Sequence, residues 1–177
     1  MFHKILVALD NSDLSEHVFT CALNLAKATD SKLLLLHVLN PLDQDYPDST
    51  IYHAVDAYYS TLYDKMIKRW QEELAEYEEH RLAMLQSLAS EAEAVGVSTE
   101  ISQNIGDSGR TICAMARTWK AGLIVLGRRG RAGVSELFLG SVSNYVLHHA
   151  PCSVLTVQGK NESELDLKQK EAAVVSV

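Results

Sequence analysis

The sequence is short of residues that several classes of protein require. It has three cysteines in 177 residues, at positions 21, 113 and 152, far apart and without Cys-x-x-Cys spacing. An odd, scattered set excludes a disulfide framework or a cysteine zinc site and fits buried thiols in a reducing compartment. Positive charge is in deficit, with 16 Lys and Arg against 23 Asp and Glu and a net charge of −7. That balance argues against sequence-blind nucleic-acid binding and against an anionic membrane surface. No apolar run approaches the roughly 20 residues of a membrane-spanning helix. The first apolar stretch is too short for a signal peptide and is followed by no small-residue cleavage site. The reading is a cytoplasmic protein with no nucleic acid and no membrane as partner. Familiar catalytic signatures are missing too. There is no Gly-x-x-x-x-Gly-Lys-[Ser/Thr], no Gly-x-Gly-x-x-Gly after the first apolar run and no Gly-x-Ser-x-Gly. P-loop phosphoryl transfer, nicotinamide-linked hydride transfer and ordinary serine hydrolysis therefore lack their parts.

What the chain does have is a rhythm of short apolar runs and helical stretches. Ile5-Leu-Val-Ala-Leu9 and Lys32-Leu-Leu-Leu-Leu-His-Val-Leu39 are continuous rather than alternating, as in strands covered on both faces. Between them Leu14, Val18, Cys21, Ala22, Leu25 and Ala26 recur at helical spacing, after Asp10-Asn-Ser-Asp-Leu-Ser, whose side chains can cap a helix. This is a βαβ unit with a right-handed crossover. Residues 40–54, with two prolines and three aspartates, read as a loop. From Asp56 to Val95 there is no Gly or Pro, and Leu62, Met66, Leu74, Tyr77, Leu85, Leu88 and Ala92 trace one apolar side. A straight helix of that extent would be roughly 60 Å long, against a radius of gyration of about 16 Å for the domain. Its first turns are expected to bend or to project, offering Tyr52, Tyr58, Tyr59, Tyr63 and Trp70 to a partner subunit.

Gly96 reads as a C-cap, and 97–103 alternates like an edge strand with one wetter face. Gly106-Asp-Ser-Gly109 turns into a helix from Arg110 to Trp119. Leu123–Leu126 is a fourth strand, a helix starts at Ser141 and stops at Ala150-Pro151, and Cys152–Val157 is a fifth strand. The alternation predicts a doubly wound three-layer α/β sandwich with a five-stranded parallel sheet, one domain over 1–158. The tail 159–177, ending Ala-Ala-Val-Val-Ser-Val, is expected to be mobile or to dock on a partner subunit.

The most informative stretch is Gly127-Arg-Arg-Gly-Arg-Ala-Gly-Val-Ser-Glu-Leu-Phe-Leu-Gly-Ser141. It reads as strand, glycine-rich loop and helix N-terminus, in which backbone N–H groups and the helix dipole can receive a phosphate. Arg128, Arg129 and Arg131 add forked donors. Open parallel sheets bind ligands beyond the carboxyl ends of their strands. Asp10–Ser12, Val38–Asn40 and this loop all fall there.

Gly127-x2-Gly130-x9-Gly140-Ser141, with Asp10-x-Ser12-x-x-Ser15 after the first strand, His37-Val38 in the second and Ala150-Pro-Cys-Ser-Val-Leu-Thr-Val157 at the end, resembles the nucleotide-binding pattern of the universal stress protein family. The resemblance covers residues 2–157 and implies a Rossmann-like sheet of order 3-2-1-4-5, a homodimer through the last strands, and the ATP-binding subgroup. It implies that Asp10, Asn11 and Ser12 face the nucleoside and that the Val38 backbone meets adenine. Leu126, Gly127, Arg128, Arg129 and Gly130 would line the ribose and phosphates. Gly140, Ser141, Val142 and Ser143 would hold phosphates through N–H and hydroxyl donors. The ligand is then ATP, ADP or AMP, with Mg²⁺ held only through the phosphates. The chain departs from the pattern in the second loop arginine and in the long 40–95 segment.

Other residues carry less. Asp10 also suits a plain helix cap, His37 a packed histidine, and the Glu72, Glu73, Glu76, Glu78 and Glu79 cluster a solvated helix face. His148 and His149 are adjacent on a helix and diverge. The expectation is a dimeric, nucleotide-dependent stress-response or signalling module with no catalytic residue. The alternatives are a slow Mg²⁺-dependent ATPase or phosphotransferase, with Asp10 and the Ser141 region holding metal and phosphates, and an FMN-binding module.

Overall fold

The computed structural model describes residues 2–43, 46–47, 60–128 and 139–158. Five strands and four helices alternate along it: β1 (Lys4–Leu9), α1 (Leu14–Thr29), β2 (Lys32–Leu39), α2 (Ser60–Ala94), β3 (Thr99–Ile105), α3 (Ser108–Trp119), β4 (Leu123–Gly127), α4 (Ser141–His149) and β5 (Ser153–Val157). All strands pair in parallel in the order β3-β2-β1-β4-β5. This is the doubly wound sheet that the sequence predicts.

The apolar runs are continuous because both sheet faces are covered. Alternate residues of a strand point to opposite faces. Ile5, Val7, Leu9, Leu33, Leu35, Leu123 and Val125 pack with Val18, Phe19 and Ala22 of α1 and with Leu85 and Ala92 of α2. Leu6, Leu34, Leu36, Val38, Ile124 and Leu126 pack on the other side with Ile112, Cys113 and Ala116 of α3 and Val146 of α4. The three cysteines are free thiols, and burial pushes those of Cys113 and Cys152 up, which keeps them poor nucleophiles.

Helix α2 is one element of 35 residues, about 52 Å at 1.5 Å per residue. Among its described side chains only Leu85 and Ala92 are fully buried. The segment after β2 packs against it. Trp70 Nε1 donates to the Pro47 carbonyl at 3.3 Å, and Tyr46 meets Tyr77 edge-on with centroids 5.8 Å apart. Lys68–Glu72 and Arg69–Glu73 are exposed i,i+4 pairs, so that part of the glutamate cluster lies on a solvated face. The helix ends in a Schellman motif: Gly96 has φ 84°, its N–H bonds Glu93 O at 2.9 Å, and Val97 N–H bonds Ala92 O at 3.0 Å. With the Val97 amide engaged in that cap, β3 starts at Thr99, two residues later than the alternation indicates. Residues 48–59, which include Tyr58 and Tyr59, and the tail 159–177 lie outside the described residues.

Candidate functional site

The chain leaves β1 in one direction through α1 to β2, and reaches β4 on the other side of β1 by the crossover through α3. A crevice opens where strand order reverses. The carboxyl ends of β2, β1 and β4 stand side by side there, about 4.8 Å from strand to strand. They bring Val38, Asp10–Ser12 and Leu126–Arg128 to one edge of the sheet.

At the end of β1 the chain turns on a compact hydroxyl network. Asp10 Oδ1 accepts from the Ser12 N–H at 3.0 Å, the Ser12 hydroxyl at 2.5 Å and the Ser15 hydroxyl at 2.8 Å. Ser15 Oγ, itself buried, also contacts the Asp10 carbonyl at 2.8 Å and accepts from the Asp10 N–H at 3.0 Å. The first of these contacts is an Asx turn. It corrects the reading of Asp10 as a helix cap: α1 starts from Asp13, which makes no side-chain cap bond, because the Asp10 carboxylate is engaged in the turn upstream. All three carboxylate contacts use Oδ1, and Oδ2 makes none of them. The Asn11 Oδ1 is buried without a hydrogen-bond partner. An unpaired buried acceptor costs about 1–3 kcal/mol, so this position asks for a donor.

At the end of β4 the loop is pinned through the Arg128 backbone. Its N–H donates to Val157 O at 2.7 Å, and its carbonyl accepts from the Gly140 N–H at 3.0 Å and from the buried Ser143 hydroxyl at 2.7 Å. The two ends of the glycine-rich loop are thereby fastened together. The Arg128 guanidinium reaches Gln158 Oε1 at 2.8 Å, just beyond β5. Gly140 is the N-cap of α4, and the intrahelical ladder starts with Asn144 N–H to Gly140 O at 2.9 Å. The N–H groups of Ser141, Val142 and Ser143 precede that ladder and form the positive end of the helix dipole. Arg129, Gly130 and Arg131 lie outside the described residues.

At the end of β2 the Val38 side chain is buried among α3-side residues and its backbone lies at the crevice. Its neighbour His37 faces the other side, buried, with Nδ1 donating to Leu9 O at 2.9 Å. Burial pushes the imidazole pKa down. The packed-histidine reading holds, yet the ring sits one residue from two candidate contacts. Ser15 entered the sequence reading only as part of the Asp10-x-Ser12-x-x-Ser15 spacing. Arg81, whose charge acts on His37, gave no signal at all, because a sequence separation of 44 residues hides the interaction. Among the described residues no group of three or more His, Cys, Asp or Glu is arranged to hold a metal ion. No described helix is long and apolar enough to cross a membrane.

A doubly wound, Rossmann-like α/β protein with a polar cradle at its topological switch point is the class that fold and site define. The universal stress protein family model matches residues 1–158, and the chain belongs to that family. It is 40% identical over 157 residues to a universal stress protein of Synechocystis sp., covering 89% of this chain and 98% of the relative. It is 31% identical over 159 residues to universal stress protein YxiE of Bacillus subtilis, covering 89% of this chain and all of that one (100%). Solved structures of the same fold include a universal stress protein in complex with cAMP, with a TM-score of 0.55, 22% identity and coverage of 89% of this chain and 97% of that one. They also include a universal stress protein family protein from Arabidopsis thaliana with AMP bound, with a TM-score of 0.57, 20% identity and coverage of 90% and 94%.

Proposed function

We propose that the chain binds one adenine nucleotide, ATP or its relatives ADP and AMP, across the carboxyl ends of β2, β1 and β4. In this reading it works as a cytoplasmic homodimer whose bound nucleotide sets its affinity for a partner in stress response or signalling. The observation that carries the reading is the buried, unpartnered Asn11 Oδ1 in the turn after β1, together with the N-terminus of α4 after β4, which has no side-chain cap. An unpaired acceptor after one strand and an anion-receiving helix end after another suit a ligand with hydroxyl or amine donors at one end and phosphate at the other. In the proposal Asp10, Asn11 and Ser12 take the nucleoside, Val38 the base through its backbone, and Leu126, Gly127 and Arg128 with Arg129 and Gly130 the ribose and phosphates. Gly140, Ser141, Val142 and Ser143 take the phosphates, and Mg²⁺ would enter only on the phosphates. The fold relatives that carry cAMP and AMP share adenosine phosphate with this assignment.

The dimer part is supported by β5, an edge strand with Leu155 40% exposed and Leu139 and Leu147 similarly bare. An unpaired apolar edge invites a second strand. Mass spectrometry of nucleotide released from the purified protein, with light scattering of the same sample, tests both parts. An adenine nucleotide and a mass of two chains are expected; protein that neither carries nor takes up adenine nucleotide overturns the site assignment. Mg²⁺-dependent turnover that survives rigorous purification would favour the slow ATPase instead.

A further inference from the structure

His37 ties the ends of two strands together at the crevice and leaves one nitrogen unsatisfied. A carbonyl oxygen only accepts, so the Nδ1 that contacts Leu9 O at 2.9 Å carries the hydrogen. The other nitrogen, Nε2, is then a bare acceptor in the neutral ring. It is buried and has no partner, in a residue only 4% exposed. On α2, whose Leu85 packs in the same core as Leu35, the Arg81 Nε–H is a donor, also buried and also without a partner. One orphan accepts and the other donates. A water or hydroxyl that donates to the one and accepts from the other would satisfy both.

The charges facing the ring come from three directions. Arg81 on α2 opposes protonation, while Asp10 after β1 and Asp43 in the loop after β2 favour it. Its register partner on β3, Gln103, is neutral and donates to the Glu78 carbonyl of α2 at 3.1 Å. Arg81 itself lies over the Tyr77 ring at 4.9 Å, which holds the guanidinium on this side of the helix. The same imidazole is therefore joined to the residue before Asp10, precedes Val38, and looks toward the long helix.

We propose that His37 is a proton-operated latch between the nucleotide site and α2. Neutral, it holds the ends of β1 and β2 in register and accepts, through a bridging water or hydroxyl, from Arg81. Protonated, Nε2 becomes a second donor facing a cation. The ring is then drawn to the carboxylates of Asp10 and Asp43, and the Asp10 turn that shapes the crevice loosens. This rests on the nucleotide reading given above. Acid would release nucleotide and loosen α2 in one step.

The test is calorimetric titration of the full-length protein with ATP and with AMP from pH 5 to 8, for wild type, His37→Gln and Arg81→Gln, with the His37 ring followed by NMR. Wild-type affinity is expected to fall as the pH drops through the folded His37 value, which burial holds below that of a free imidazole, by up to tenfold per pH unit once His37 titrates. His37→Gln should flatten that part of the profile, and the phosphate's own ionisation, common to all three proteins, cancels in the comparison. Arg81→Gln removes the opposing cation, so it should move both the ring's titration and the affinity profile to higher pH. Binding that is present but has the same pH profile in all three proteins overturns the latch and leaves the nucleotide reading standing. Binding absent from wild type at every pH overturns the nucleotide reading itself. If His37→Gln does not fold, the Arg81→Gln shift decides: an unmoved titration refutes the latch.

Discussion

Gly109 gives the sharpest structural prediction, because its missing side chain is what lets α3 and α4 touch. A Cβ at this position would stand 2.7 Å from Tyr145 Cδ1, 2.9 Å from Cγ and 3.1 Å from Cβ, where relaxed carbon contacts lie at about 3.5–4.0 Å. Tyr145 cannot easily retreat. Its ring stacks on His149 with centroids 4.0 Å apart and planes 9° apart, and His149 Nδ1 donates to the Tyr145 carbonyl at 2.8 Å. Gly109→Ala should therefore cost about 1–3 kcal/mol of overpacking, offset by up to about 1 kcal/mol of helix propensity. Taking about 2 kcal/mol for contacts this short, the net loss is about 1–2 kcal/mol, a fall in Tm of roughly 2–8 °C for a chain of this length. Urea unfolding followed by circular dichroism would show a lower midpoint at unchanged slope. In a Tyr145→Ala background the two shortest contacts are gone and only the 3.1 Å contact with Cβ stays, so the same substitution should cost distinctly less. A Gly109→Ala protein at least as stable as wild type, with Tyr145 in place, would refute the packing argument.

Two helices end on non-glycine residues in the left-handed region, Asp30 with φ 51° and Lys120 with φ 58°, so Asp30→Gly and Lys120→Gly should each stabilise by about 0.5–1 kcal/mol in the same unfolding assay. Ser143→Ala removes the hydroxyl that fastens Arg128 O to α4 at 2.7 Å. It should cost about 1 kcal/mol and weaken nucleotide binding, seen by calorimetry, as the two ends of the loop separate. The His37 pKa is lowered in the folded protein by burial, so the unfolded chain binds more protons as the medium becomes acid. The resulting stability is present above about pH 6.5 and is lost as pH falls through the folded value; unfolding midpoints measured from pH 5 to 8 should show that loss in wild type and not in His37→Gln.

The strands and most helix limits were legible because burial on both faces writes itself as unbroken apolar runs such as Leu33–Leu36. The parallel order with its switch point then follows from alternation and handedness, so the placement of Asp10, Val38 and Gly127 at one sheet edge could be read before any coordinates. Long-range contacts could not. Gly109 looked like a turn residue, whereas Asp107 caps α3 two residues earlier by accepting from the Arg110 N–H at 2.8 Å, leaving Gly109 inside the helix. The charge interaction of Arg81 with His37 depends on how α2 lies across the sheet, and an amphipathic pattern fixes a helix face without fixing its slide or rotation against neighbours. The Asp10 turn was half visible. Its serine spacing marked the residues, but the choice between a cap and an Asx turn depends on backbone geometry.

Gly140 offers the most direct test of the central claim. Its φ of −61° and ψ of 155° are open to any residue, so a side chain here does not strain the backbone, and in the proposed site it would crowd the phosphates. Calorimetric titration of ATP and AMP into wild type and Gly140→Leu, with both proteins checked for equal Tm, should give one adenine nucleotide per chain for wild type. The variant should bind at least about tenfold more weakly, a loss of about 1.4 kcal/mol. Equal affinity in the two proteins, or no binding by wild type, would contradict the account.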